Sequence, residues 1–145
     1  MIVTGIVERG KQLGRRLGFP TANIRPDWTD GPLPENGAYA AAFWVEEEPL
    51  ARPCMLNQGV HPTVPEGRPT IEAHLLDYDG ALYGRRVRVE YLHFMRPERR
   101  FEDVGALAEQ LRRDRRCVRD WIAAARAPGC RDPFARRVQE IRWID

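Results

Sequence analysis

The chain has 145 residues, enough for one domain with an ordinary core, and its 30% charged and 43% hydrophobic residues describe a globular protein. Net charge is only +2 because 23 basic residues are interleaved with 21 acids, which argues against a nucleic-acid partner. No apolar run approaches transmembrane length and the N-terminus lacks a signal-peptide pattern, so a cytoplasmic protein without a membrane partner is expected.

Twelve prolines and twelve glycines imply many turns between short elements, and hence a β-rich chain. Ile2 to Glu8 alternates and contains β-branched residues, as a first strand does. A glycine-bearing loop follows, and Asn23-Ile24 reads as a short strand before Pro26. Pro26 to Gly37 is loop, with Trp28 packing as a lid over the core. Ala38 to Val45 places Tyr39, Ala41, Phe43 and Val45 on one face, the pattern of a half-buried strand. An acidic turn leads to a return strand over Arg52 to Leu56, and Asn57 to Pro69 reads as loop.

Ile71 to Asp77 is the next strand, with Ile71, Ala73 and Leu75 on one side and Glu72, His74 and Leu76 on the other. Asp79-Gly80 signals a hairpin-type turn. In Arg86 to Phe94, Val87, Val89 and Tyr91 face in, while Arg88 and Glu90 face out. After Phe101 the period becomes helical: Asp103 is the N-cap, and Val104, Leu107, Leu111, Val118 and Ile122 form the apolar stripe to about Ala127. Pro128-Gly129 stops that helix. Asp132-Pro133 then opens a short tail helix outlined by Phe134, Val138, Ile141 and Ile144. The expected fold is mainly β, a small antiparallel barrel with a C-terminal α-helix and a short extra tail helix, in a single domain over 1–145.

Chemistry concentrates first in Gly14 to Asn23, GRRLGFPTAN. Its glycines permit close backbone approach, its arginines add charge, and Thr21 and Asn23 present oxygens on one face of an extended segment. That composition suits a polyphosphate and a hard divalent cation, though a turn with no ligand accounts for it too. It is not a Walker A loop. Glu72, opposite the core face, is placed either as a general base near a dry pocket or as a solvent-facing glutamate. His74 beside it reads as a surface or hydrogen-bonded histidine.

Arg96, Glu98 and Phe101 lie in the strand-to-helix loop RPERRF, which either grips a planar polar ring or forms a salt-bridged loop with one anchoring aromatic. The arginines at 112, 113, 115 and 116, diluted by Glu109, Asp114 and Asp120, read as a solvated helix face. Cys54, Cys117 and Cys130 form no CxxC pair and fit a reduced setting, and the three histidines lack zinc-site spacing.

These residues have a familiar order. Gly5 to Ile24, GIVERGKQLGRRLGFPTANI, resembles the PTAN-bearing signature of riboflavin kinases, including the kinase half of bifunctional FAD synthetases. LPENGAYAA, NQGVHPT, IEAHLLDYDGALYG and LHFMRPERRFEDVGALAEQLRRD resemble the family's later blocks, in order, from Ile2 to about Asp120. The resemblance implies a six-stranded Greek-key barrel with a terminal helix. It also implies transfer of the ATP γ-phosphate to the ribityl 5′-hydroxyl of riboflavin, giving FMN and ADP.

Carried over by motif, Thr21 and Asn23 would hold Mg²⁺ against the phosphates, and Gly10, Gly14, Arg15 and Gly18 would shape the phosphate loop. Glu72 would be the base, Tyr83 would lie near the nucleotide pocket, and Arg96, Glu98 and Phe101 would lie on the flavin side. Partners are then riboflavin/FMN and ATP/ADP, with a monomer expected and self-association left open. Because the chain starts at the kinase block, FAD synthesis is not expected, and Ala127 to Asp145 has no clear counterpart in the family. The alternative is a flavin- or nucleotide-binding module that has lost catalysis; retention of Thr21, Asn23 and Glu72 together argues against it.

Overall fold

The computed structural model describes residues 1–9, 21–27, 33–60, 68–78 and 80–144. Among them six strands, β1 (Ile2–Glu8), β2 (Ala22–Pro26), β3 (Gly37–Val45), β4 (Arg52–Gly59), β5 (Thr70–Leu75) and β6 (Arg86–Pro97), close into a barrel. The order around the barrel is β1-β2-β5-β4-β3-β6, every neighbouring pair antiparallel. β3, β4 and β5 are successive neighbours, and β6 returns beside β3, so the connectivity is a Greek key.

Period-two alternation sends one side chain in two to the barrel interior. Val3, Val7, Ala22, Ile24, Tyr39, Ala41, Phe43, Cys54, Leu56, Ile71, Ala73, Leu75, Val87, Val89 and Tyr91 fill it. β3 is not half-buried as its pattern suggested; all nine of its residues are buried. Its outward residues Ala40, Ala42 and Trp44 join Met55 of β4 in a second core beneath the helices. Small alanine side chains on that face let a helix lie close to the sheet.

Helix α1 (Val104–Arg126) begins as expected, with Asp103 Oδ1 accepting the Ala106 N–H at 2.7 Å. It ends at Ala127, whose extended backbone is the conformation a following proline favours. The buried stripe keeps Val118 and Ile122 of the expected one and differs around them. Val104 is 52% exposed, whereas Ala108, Asp114, Val118, Ile122 and Ala125 are buried. Spacing alone picked out the apolar letters, and the face against the barrel also takes in small residues and one paired acid.

The tail also departs from expectation. Asp132 caps a 3-10 turn (Pro133–Ala135) through a 2.9 Å bond from the Phe134 N–H, and α2 (Arg136–Glu140) follows. Ile141 onward is extended rather than helical, and Trp143 pairs in parallel with Ala51. Backbone bonds of 2.8 Å from Ala51 N–H to Arg142 and from Ile144 N–H to Ala51 fix that pairing. Val138, Ile141 and Trp143 complete the second core, and the Arg137 guanidinium donates to both oxygens of the buried Glu90 at 2.6 and 2.9 Å. Glu90 thus faces out of the barrel, as its pattern required, without reaching solvent.

Candidate active site

The strand pairings bring residues far apart in sequence into one row. Glu8 on β1 pairs with Asn23 on β2, Asn23 with Glu72 on β5, and Glu72 with Asn57 on β4. Each is flanked by inward neighbours (Val7; Ala22 and Ile24; Ile71 and Ala73; Leu56), so all four project from the outer face. Directly opposed side chains in an antiparallel pair have Cβ atoms roughly 5 Å apart. Asn23, Glu72 and Asn57 are each half-buried, so the row is shielded without being sealed.

Thr21, immediately before β2, is half-buried too and shares Asn23's parity. Both line a cavity of about 270 Å³ at the β1-β2-β5 side of the barrel, with Glu8, Arg9, Tyr78, Gly80 and Tyr83 among its other walls. Glu72 is not among its lining residues; it borders the cavity through its neighbours Asn23 and Ala73. Tyr83 is 63% exposed, and the Arg9 guanidinium lies 5.0 Å from its ring centroid. A Cβ on Gly80 would come within 2.5 Å of Tyr78 Cζ, so a larger residue there would displace the Tyr78 wall. The 80–85 connection is tied down by bonds from Gly84 N–H to Val7 O at 2.8 Å and from Val7 N–H to Arg85 O at 3.0 Å.

β4 runs to Gly59, three residues beyond the expected end at Leu56, so Asn57 belongs to the sheet and not to a loop. The alternation Cys54, Leu56, Gln58 inward and Met55, Asn57 outward was the available signal, hidden by the polar letters after Leu56. Gln58 is buried and fully engaged: Tyr91 Oη donates to its Oε1 at 2.7 Å, and its Nε2 donates to Pro34 O at 2.8 Å and Asn36 Oδ1 at 3.0 Å. Burial raises the Tyr91 hydroxyl and the Cys54 thiol well above their ordinary values, with the neighbouring Tyr39 and Cys54 charges adding to the Tyr91 effect.

The flavin-side trio does not share one loop. β6 extends to Pro97 rather than Phe94, and Arg96 is a strand residue. Its Nε and Nη2 donate to Asp114 at 2.8 and 2.6 Å, and its Nη1 donates to Pro97 O at 3.0 Å. Asp114, 4% exposed, also accepts from Gln110 Nε2 at 2.8 Å, so this acid within the arginine run is a buried anchor between α1 and β6. Glu98 Oε1 accepts the Val60 N–H at 3.0 Å, and a Cβ on Gly59 would lie 2.5 Å from that oxygen. Phe101 is half-buried, with the Arg99 guanidinium 5.4 Å from its ring centroid.

In the arginine run, Arg112, Arg113 and Arg116 are exposed as expected, while Arg115 donates to Leu76 O at 2.8 Å. His74 is buried on the outer face of β5. Gly10, Gly14, Arg15 and Gly18, and also Trp28, lie outside the described residues. Among the described residues no group of three His, Cys, Asp or Glu side chains forms a metal cage. Thr21 and Asn23 offer neutral oxygens instead, a donor set suited to a hard cation that keeps waters and shares phosphate ligands. No described helix is long and apolar enough to cross a membrane.

Comparison with known proteins gives this geometry a context. The family model for riboflavin kinase (flavokinase) matches residues 1–122. An RNA-binding riboflavin kinase of Bacillus subtilis is 37% identical over 120 residues, 81% of this chain and 49% of that protein. The bifunctional riboflavin kinase/FMN adenylyltransferase of Escherichia coli K12 is 37% identical over 121 residues, 83% of this chain and 37% of its own length. The chain thus spans half or less of these curated relatives. The crystal structure of a riboflavin kinase from Trypanosoma brucei superposes with a TM-score of 0.57 at 22% identity, covering 99% of this chain and 91% of that one. That likeness is one of fold, and it runs through the tail that lies beyond the family match.

Proposed function

The chain belongs to the riboflavin kinase family, and from that premise we propose that it transfers the ATP γ-phosphate to the ribityl 5′-hydroxyl of riboflavin, yielding FMN and ADP. The observation that carries the reading is the placement of Glu72 directly across the ladder from Asn23.

Phosphoryl transfer needs in-line placement of donor and acceptor, neutralised phosphate charge, and a group to receive the hydroxyl proton. Glu72, half-buried beside the cavity, takes that proton as the 5′-oxygen bonds to phosphorus and the bond from phosphorus to the ADP oxygen breaks. Thr21 and Asn23 hold the cation side, and Mg²⁺, when bound there, supplies charge neutralisation at the phosphates. Tyr83 and Arg9 wall the nucleotide cavity. Gly10, Gly14, Arg15 and Gly18 are assigned to the phosphate loop by motif. On the flavin side Phe101 faces the ring. Arg96 and Glu98 shape that wall, since Arg96 is bound to Asp114 and Glu98 to the end of β4.

Incubating the purified protein with ATP, Mg²⁺ and riboflavin, and resolving flavins by chromatography, tests this directly. FMN should accumulate in step with ADP. Riboflavin binding without turnover would instead identify a binding module.

A further inference from the structure

Resting on the kinase reading, we infer that Asn57 is the acceptor-side residue of the site and hydrogen-bonds a hydroxyl of the ribityl chain. Glu72 stands between two asparagines, Asn23 on one flank and Asn57 on the other. The cavity lies on the Asn23 flank, and Asn57 is not among its lining residues. In-line transfer puts donor and acceptor on opposite sides of the moving phosphoryl group. With phosphates on the Asn23 flank, the alcohol arrives over β4, past Asn57.

The Asn57 carboxamide is half-buried, and among the described residues its side chain has no hydrogen-bond partner. A carboxamide both donates and accepts, which matches an alcohol. Its backbone is held in the sheet between Ala38 of β3 and Glu72 of β5, and the engaged Gln58 and the bond from Val60 N–H to Glu98 fix the residues that follow it, so its aim is set by rigid structure. Beyond it the row continues to Ala38, which has no polar side chain, and then to Arg96, whose guanidinium is bound to Asp114. Among the described residues of that row beyond Glu72, Asn57 is therefore the side chain with hydrogen-bonding capacity to spare.

The test compares riboflavin with a flavin bearing an unbranched hydroxyalkyl chain, which keeps a terminal hydroxyl and lacks the interior ones. Asn57→Ala should raise the riboflavin KM about tenfold, the weight of one lost hydrogen bond, and leave the ATP KM unchanged. It should also reduce the preference for riboflavin over the analogue by a similar factor, with Asn57→Ser intermediate. Riboflavin titrations by flavin fluorescence supply the same comparison without turnover, and thermal melts report folding of each variant. An unchanged preference in both variants overturns the inference. Equal loss on both acceptors does so as well. Absence of FMN formation by the unsubstituted protein removes the kinase reading itself, a separate failure.

Discussion

Asn23 on β2 and Glu72 on β5 are direct partners in an antiparallel ladder, and both project from the outer face of the barrel. A neutral oxygen donor and a carboxylate are thereby held side by side by backbone hydrogen bonds rather than by loop conformation. Sites on strands hold such geometry better than sites on loops.

Glu72→Gln keeps the shape and removes the proton acceptor. Its kcat should fall by ~10²-fold or more, with ATP affinity retained, as expected for loss of a general base. Steady-state kinetics alongside nucleotide titration would show it. Turnover equal to that of the unsubstituted protein would take Glu72 out of the mechanism.

Thr21→Ala and Asn23→Ala each remove one oxygen from the cation side. Both should move the Mg²⁺ activation curve to higher concentration while leaving riboflavin binding intact. A superimposable metal titration would show that neither oxygen serves the cation.

The Arg96–Asp114 pair should matter for stability more than for flavin contact. Asp114→Asn or Arg96→Met breaks a charge pair in which the acid is buried, and should cost about 3 kcal/mol in urea unfolding. Replacing both partners with apolar residues of similar size should recover most of that loss, because no lone charge is left inside. If the single and double variants are equally unstable, the pair is not the cause.

Alkali should destabilise the barrel through Cys54 and Tyr91, whose ordinary values are 9.0 and 10.0 and whose folded values are raised by burial. Above those ordinary values the unfolded chain releases protons that the folded chain retains, so stability falls as pH rises. Tyr91→Phe should lower stability at neutral pH, by leaving Gln58 Oε1 unpartnered, yet flatten the decline above pH ~10. Denaturant midpoints measured from pH 7 to 11 would reveal both effects.

Much was legible from letters alone. The alternation in Ile2–Glu8 and in β5 and β6 marks which side chains enter the barrel, and Asp103 marks where α1 begins. Those signals are local: a two-residue period, a cap bond three residues long. The resemblance in the PTAN and IEAH stretches points to Thr21, Asn23 and Glu72 without reference to any strand pairing.

Only the tertiary structure decided what those residues meet. Asn57 reads as loop because its neighbours are polar, but β5 pairs with β4 through Gly59 and sets Asn57 opposite Glu72. Asp114 reads as one charge among many on a solvated helix until β6 brings Arg96 to it. The tail's last residues look helical by spacing, yet the Ala51 backbone captures them as a bridge. Register around a closed barrel is set by pairings between strands distant in sequence, and a buried ion pair by which surfaces close on each other. Neither is written in the period of any single segment.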